Sequence, residues 1–122
     1  MSDQHWFAAP AGSPPAGAAD GPGRIAELRG VIDHLDQRII ALLAERTRVV
    51  QELTAYKTDE ATVRSPDRVR QVLDRVSDLA VGNGMPPQVA VGTYRALIDE
   101  LTRMQLDMLA ARRAAASAGE ER

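Results

Sequence analysis

At 122 residues the chain has the length of one domain, and it contains no cysteine, which excludes disulfides and thiolate metal sites and fits a reducing cytoplasm. Its 15 basic and 17 acidic side chains nearly cancel, giving a formal net charge of -2, which argues against a general nucleic-acid binder. No stretch approaches a membrane span, and the N-terminus lacks the charged-then-apolar order of a signal peptide, so the chain reads as soluble and cytoplasmic. Aromatics are scarce while Ala, Leu, Val and Arg abound, the composition of an all-α bundle.

Residues 1–23 are rich in Ala, Gly, Pro and Ser and are expected to form a disordered leader, His5, Trp6 and Phe7 included. A first helix is predicted from about Arg24 to Lys57, with Gly30 its internal weak point. Ile25, Leu28, Ile32, Leu35, Ile39, Leu42, Val49, Leu53 and Tyr56 recur along it at spacings of three and four, which makes one apolar seam. Such a helix is roughly 50 Å long at 1.5 Å per residue, too long for a compact monomer of this size. A loop follows from Thr58 to Arg64. The second helix opens at Ser65-Pro66, an N-cap with proline at the first helical position, and ends at Gly82-Asn83-Gly84. Its stripe is Val69, Val72, Leu73, Val76 and Leu79. A third helix opens around Pro86-Pro87 and runs to about Ala115, with Tyr94, Leu97, Ile98, Leu101, Met104, Met108 and Leu109 inward. The ordered domain spans 24–112, and Arg113 to Arg122 are expected to fray. Three helices leave much of the first one uncovered, so a second copy of the chain is expected to bury its seam.

The polar residues on these seams carry the functional signal. Arg46 occupies the seam position between Leu42 and Val49. A guanidinium there costs several kcal/mol unless it meets an anion, and no Asp or Glu shares the stripe. The anion is either a carboxylate from another helix or a ligand. Lys57 ends the first helix, Arg29 lies one step off its seam, Arg68 stands in the first turn of the second helix, and Gln105 faces inward between Leu101 and Met108. Taken singly, Lys57 reads as a helix-end cation, Arg29 as a solvated flank, and Gln105 as a buried amide satisfied by backbone. Together, cations and one neutral amide with no inward His, Cys, Asp or Glu describe a pocket for a small polyanion, without a nucleophile or an evident base.

The segments "ELRGVIDHLDQRIIALLAERTRVVQELTAYK", "RSPDRVRQVLDRV" and "ELTRMQ" resemble the all-helical chorismate mutases over about Arg24 to Ala110. The family pattern is matched by Leu28-Arg29, Ile32-Asp33, Leu35-Asp36, Leu42-Leu43, Arg46 and Lys57, then by Asp67-Arg68 and Gln105. The resemblance implies three helices per chain in an intertwined homodimer with shared active sites. It implies an intramolecular Claisen rearrangement of an enolpyruvyl ether, with no metal or cofactor. Arg46 is then expected to pair with one substrate carboxylate, and Arg29, from the partner chain, with the other. Lys57 and Gln105 are expected to hydrogen-bond the ether oxygen, and Arg68 to complete the basic lining.

Two positions depart from the pattern. Chorismate-specific members carry, beside the second-helix Arg, a Glu that reads the ring hydroxyl at C4; here that residue is Val69. The third-helix Ser of some members is Leu101. Valine cannot read a hydroxyl, and an unpartnered buried hydroxyl costs about 1–3 kcal/mol. Ser65 or local backbone is another candidate reader. The leading substrate is therefore 4-amino-4-deoxychorismate, an antibiotic precursor, with chorismate itself the alternative. An isochorismate pyruvate lyase is a further reading, although Tyr94-Arg95 followed by Gln105 lies closer to the mutases. The rival class is a non-catalytic dimeric helical module with Arg46 paired to Asp99 or Glu100.

Overall fold

The computed structural model describes residues 21–120, and they are all-α. The leader expected over 1–23, with His5, Trp6 and Phe7, lies outside the described residues up to position 20, and its last three residues are instead helical, the first helix starting at Gly21 rather than Arg24. Four helices follow in chain order: α1 Gly21–Thr54, α2 Glu60–Arg64, α3 Pro66–Gly82 and α4 Pro87–Glu120. None of the described helices is long and apolar enough to cross a membrane. Where one domain is expected, the chain divides into two compact units, Met1–Arg48 and Val49–Arg122.

The described part of the first unit is helix alone, and it has no apolar surface of its own to pack against. Its seam therefore stands open: Ile25, Ile32, Ile39 and Leu42 are exposed, Ile32 at 54% and Leu42 at 64%, while Leu28 and Leu35 are half-buried. Arg46 is also half-buried. Within a single chain the seam does not impose the full desolvation that the sequence pattern assigned to this guanidinium.

The second unit holds the core. Helices α3 and α4 pack as a hairpin around Val72, Val76, Ala80 and Ala90, with Met85, Tyr94 and Ile98 against them. Leu79, expected inward, is 57% exposed, and its place is taken by Ala80. Small Ala80 and Ala90 let the helices approach near the turn, where a leucine would hold them apart. The hairpin turn uses the expected Gly82-Asn83-Gly84. Asn83 caps α3, its side-chain amide donating to the Leu79 carbonyl at 2.8 Å, and Gly84 takes φ +71°, a left-handed conformation that a Cβ disfavours.

Three further boundaries differ from the sequence reading. Helix α1 ends at Thr54 rather than Lys57, because its last turn tightens. Ala55, Tyr56 and Lys57 donate their N–H groups three residues back, to Glu52, Leu53 and Thr54, at 3.2, 3.1 and 3.0 Å. The expected loop contains α2, started by Asp59, whose carboxylate accepts from both the backbone N–H and the hydroxyl of Thr62 at 2.7 Å. Those two bonds, and the nearby Arg113, hold the Asp59 carboxyl below the usual range. Ser65 does stand before Pro66, but it also ends α2, which places it at φ 34° and leaves its side chain without a capping bond. Helix α4 continues to Glu120 where a frayed tail was expected from Arg113. Its extra turns are alanine-rich, the best helix formers, and Arg112 and Arg113 anchor them to the end of α1.

Replacing Gly84 by Ala adds a Cβ that meets open space, so only the backbone strain counts. Gly84→Ala is expected to lower unfolding free energy by about 1–2 kcal/mol, read from denaturant melts at fixed protein concentration with an unchanged slope.

Candidate functional site

The clearest polar constellation lies in the second unit and joins α1 to α4. Gln105 is only 6% exposed and Thr54 only 1%. The Lys57 ammonium donates to Gln105 Oε1 at 2.9 Å, and the Thr54 hydroxyl approaches the same oxygen at 3.1 Å. The Thr54 hydroxyl has one proton and lies closer, 2.6 Å, to the Val50 carbonyl, so its bond to Gln105 is the weaker share of a forked contact. Leu101 and Leu109, one turn to either side on α4, are buried and fix the face from which Gln105 projects.

These contacts orient the amide. Turning it over would set its NH2 group against an ammonium, donor against donor, so Oε1 faces Lys57 and Nε2 is left as the donor. No partner among the described residues takes Nε2. Lys57 uses one N–H on Gln105 and retains two. The pair therefore presents several donors and one positive charge, with no acceptor left on the amide side. Lys57 is half-buried, and loss of water pushes its pKa below the ordinary lysine value. No carboxylate among the described residues pairs with it, so its charge is not cancelled locally. Such a site suits an anion, or an oxygen on which negative charge develops.

The other expected residues fall elsewhere. Arg68 is exposed at the start of α3 and donates to Gln71 Oε1 at 2.6 Å, and Val69 beside it is half-buried. Arg29 is exposed on α1, and Arg46 lies further along that helix; both belong to the first unit. Glu100 pairs with Arg103 at 2.8 Å. Asp33, Asp36, Glu45, Glu52 and Asp74 are exposed. No group of three His, Cys, Asp or Glu among the described residues could hold a metal.

Sequence reasoning missed Thr54 and Arg112. Thr54 carried a signal, since Val50, Thr54 and Lys57 follow at spacings of four and three and so share a face. Arg112 stands seven residues after Gln105, also on its face, but the expected fraying of the tail concealed it. Replacing Thr54 by Val keeps the shape and removes the hydroxyl. Thr54→Val is expected to cost about 1 kcal/mol of unfolding free energy, and an unchanged denaturation midpoint would show that the hydroxyl contributes nothing there.

Comparison with known proteins adds the family context. The profile described as "Chorismate mutase type II" matches residues 28–106. A protein of Methanocaldococcus jannaschii named "Chorismate mutase" is 24% identical over 87 residues, 70% of this chain and 88% of that one. A protein of Pseudomonas aeruginosa named "Isochorismate pyruvate lyase" is 28% identical over 74 residues, 61% of this chain and 73% of its own. No solved structure gives a significant match.

Proposed function

This chain belongs to the chorismate mutase type II family, an isomerase family, and from that premise we propose how it rearranges a chorismate-type enolpyruvyl ether. The rearrangement is unimolecular. The ether C–O bond breaks as a new C–C bond forms, and no proton is transferred. Catalysis then needs cations that fold the flexible side chain over the ring and fixed donors where charge grows on the ether oxygen. One observation carries the reading: the half-buried Lys57 ammonium donates to the buried Gln105 amide oxygen at 2.9 Å, and no carboxylate among the described residues neutralises it.

Lys57 and Gln105 take the ether oxygen. Arg46 takes one carboxylate, Arg29 the other, and Arg68 lines the basic rim. Arg29 and Arg46 are 17 residues apart on one helix, roughly 25 Å by helical rise, so one copy cannot bring both to a small ligand. The α1 seam is exposed in the single chain, and burying it against a second α1 supplies Arg29 from the partner. The functional unit is accordingly an intertwined homodimer with shared sites, which analytical ultracentrifugation tests. A stable monomer with full activity would remove Arg29 from the assignment.

Val69 leaves no carboxylate to read a C4 hydroxyl, which supports 4-amino-4-deoxychorismate as the lead substrate, feeding antibiotic precursors. Chorismate itself is the second reading, and the name of the M. jannaschii relative favours it. The protein is to be incubated separately with chorismate, 4-amino-4-deoxychorismate and isochorismate, and the products identified by mass and NMR. The account expects a rearranged isomer, with the higher kcat/KM on the amino substrate. Higher kcat/KM on chorismate selects the second reading. Pyruvate release from isochorismate alone makes the chain a lyase, and no turnover of any substrate makes it a non-catalytic module.

Lys57 must be charged to donate fully, and burial lowers its pKa, so it loses its proton earlier as pH rises. With a neutral amide as partner, no other group needs to titrate near neutrality. The expected kcat/KM is flat through the neutral range and falls on the alkaline side, with a midpoint below the ordinary lysine value of about 10.4. A bell centred near neutrality would mean an acid or base outside this set.

A further inference from the structure

We propose that Arg112 is a positioning residue for Lys57, clamping the turn after α1 so that the ammonium stays on Gln105. The inference rests on the assignment of Lys57 to the ether oxygen. A helix ends with four carbonyls lacking intrahelical partners; at the end of α1 the N–H groups of residues 55–57 take those of Glu52, Leu53 and Thr54, and a guanidinium from α4 binds Thr54 and the carbonyls of the turn that follows. Arg112 Nη1 donates to the carbonyls of Thr54 at 3.3 Å and Ala55 at 3.1 Å, and Nη2 donates to the carbonyl of Lys57 itself. Arg113 adds a bond to the Thr58 carbonyl at 2.8 Å.

This clamp acts where the direction of Lys57 is decided. Residues 55–57 bond three residues back, and such a turn advances about 120° per residue instead of 100°. Over three residues the difference swings the Lys57 side chain by roughly 60° from where a continued α-helix aims it. Helix α4 then grips Lys57 at two points. Gln105 holds the ammonium, and Arg112 holds the backbone carbonyl. Those two residues are seven apart, about 10 Å along α4 and on one face, with buried Leu109 between them. The rigid helix thus sets the span across which Lys57 stretches. The fork matters because its two terminal nitrogens meet separate carbonyls in a fixed plane, whereas an ammonium offers one nitrogen on a flexible stem.

The test uses Arg112→Met, which keeps the stem, and Arg112→Lys, which keeps the charge at the helix end but not the fork. Each is measured alone and in the Lys57→Met background. Steady-state kinetics on the substrate turned over, and calorimetric titration with a bicyclic dicarboxylate mimic of the transition state, are both recorded. Arg112→Met is expected to lower kcat about tenfold with KM nearly unchanged, the pattern of an interaction made in the transition state. It should weaken the mimic by a similar factor, but by less than about twofold once Lys57 is Met, because coupled residues are not additive. Arg112→Lys should match Arg112→Met. Rescue by Lys would reduce Arg112 to a helix-end charge, and equal losses in both backgrounds, or none in either, would overturn the positioning role. If Arg112→Met does not fold, Arg112→Lys decides alone, with wild-type kcat as the overturning result. Full activity of Lys57→Met would instead refute the assignment of Lys57 to the ether oxygen.

Discussion

The site depends on giving a half-buried ammonium an amide oxygen for a partner, rather than a carboxylate. A carboxylate would hold Lys57 more tightly and raise its pKa, but it would also cancel the charge. Gln105 orients Lys57 and leaves that charge in force, while loss of water around the ammonium lowers its pKa. The amide is oriented in return, its oxygen occupied and its NH2 group left to donate. A pair of this kind is organised before a ligand arrives, so its donors need little rearrangement as charge develops.

That arrangement needs a stiff support, which the second unit builds for itself. The α3–α4 hairpin closes on Val72, Val76, Ala80 and Ala90, and the same α4 presents Gln105 and Arg112 to the last turn of α1. The described part of the first unit offers no comparable core. Its helix carries Arg29 and Arg46 along an apolar face that remains open.

The helices, the hairpin turn and the inward position of Gln105 were legible because each has a strong local signal. Period 3.6 patterning marked the stripes, Gly82-Asn83-Gly84 marked the turn, and Leu101 and Met108 bracketed Gln105. The end of α1 was not legible, because a contact between Arg112 and carbonyls more than fifty residues away decides it, and local propensity carries no trace of that. Leu79 and Ala80 were exchanged for a similar reason, since both fit a helical stripe and only the approach of α4 selects the smaller. Arg46 was placed in a buried seam by a pattern that is real, but its burial depends on what covers the seam, and periodicity within one chain does not report that.

The central claim is that Gln105 acts as a hydrogen-bond donor, with Lys57, toward the oxygen that gains charge. The pH dependence of Gln105→Glu tests it most directly, because a carboxyl group donates only when protonated. The account predicts little activity at neutral pH and a rise as pH falls through the carboxyl pKa, ordinarily about 4.3, which the adjacent ammonium lowers and burial raises. Circular dichroism across the range must show the helices intact. Wild-type turnover at neutral pH by Gln105→Glu, with no acid limb, would contradict the account.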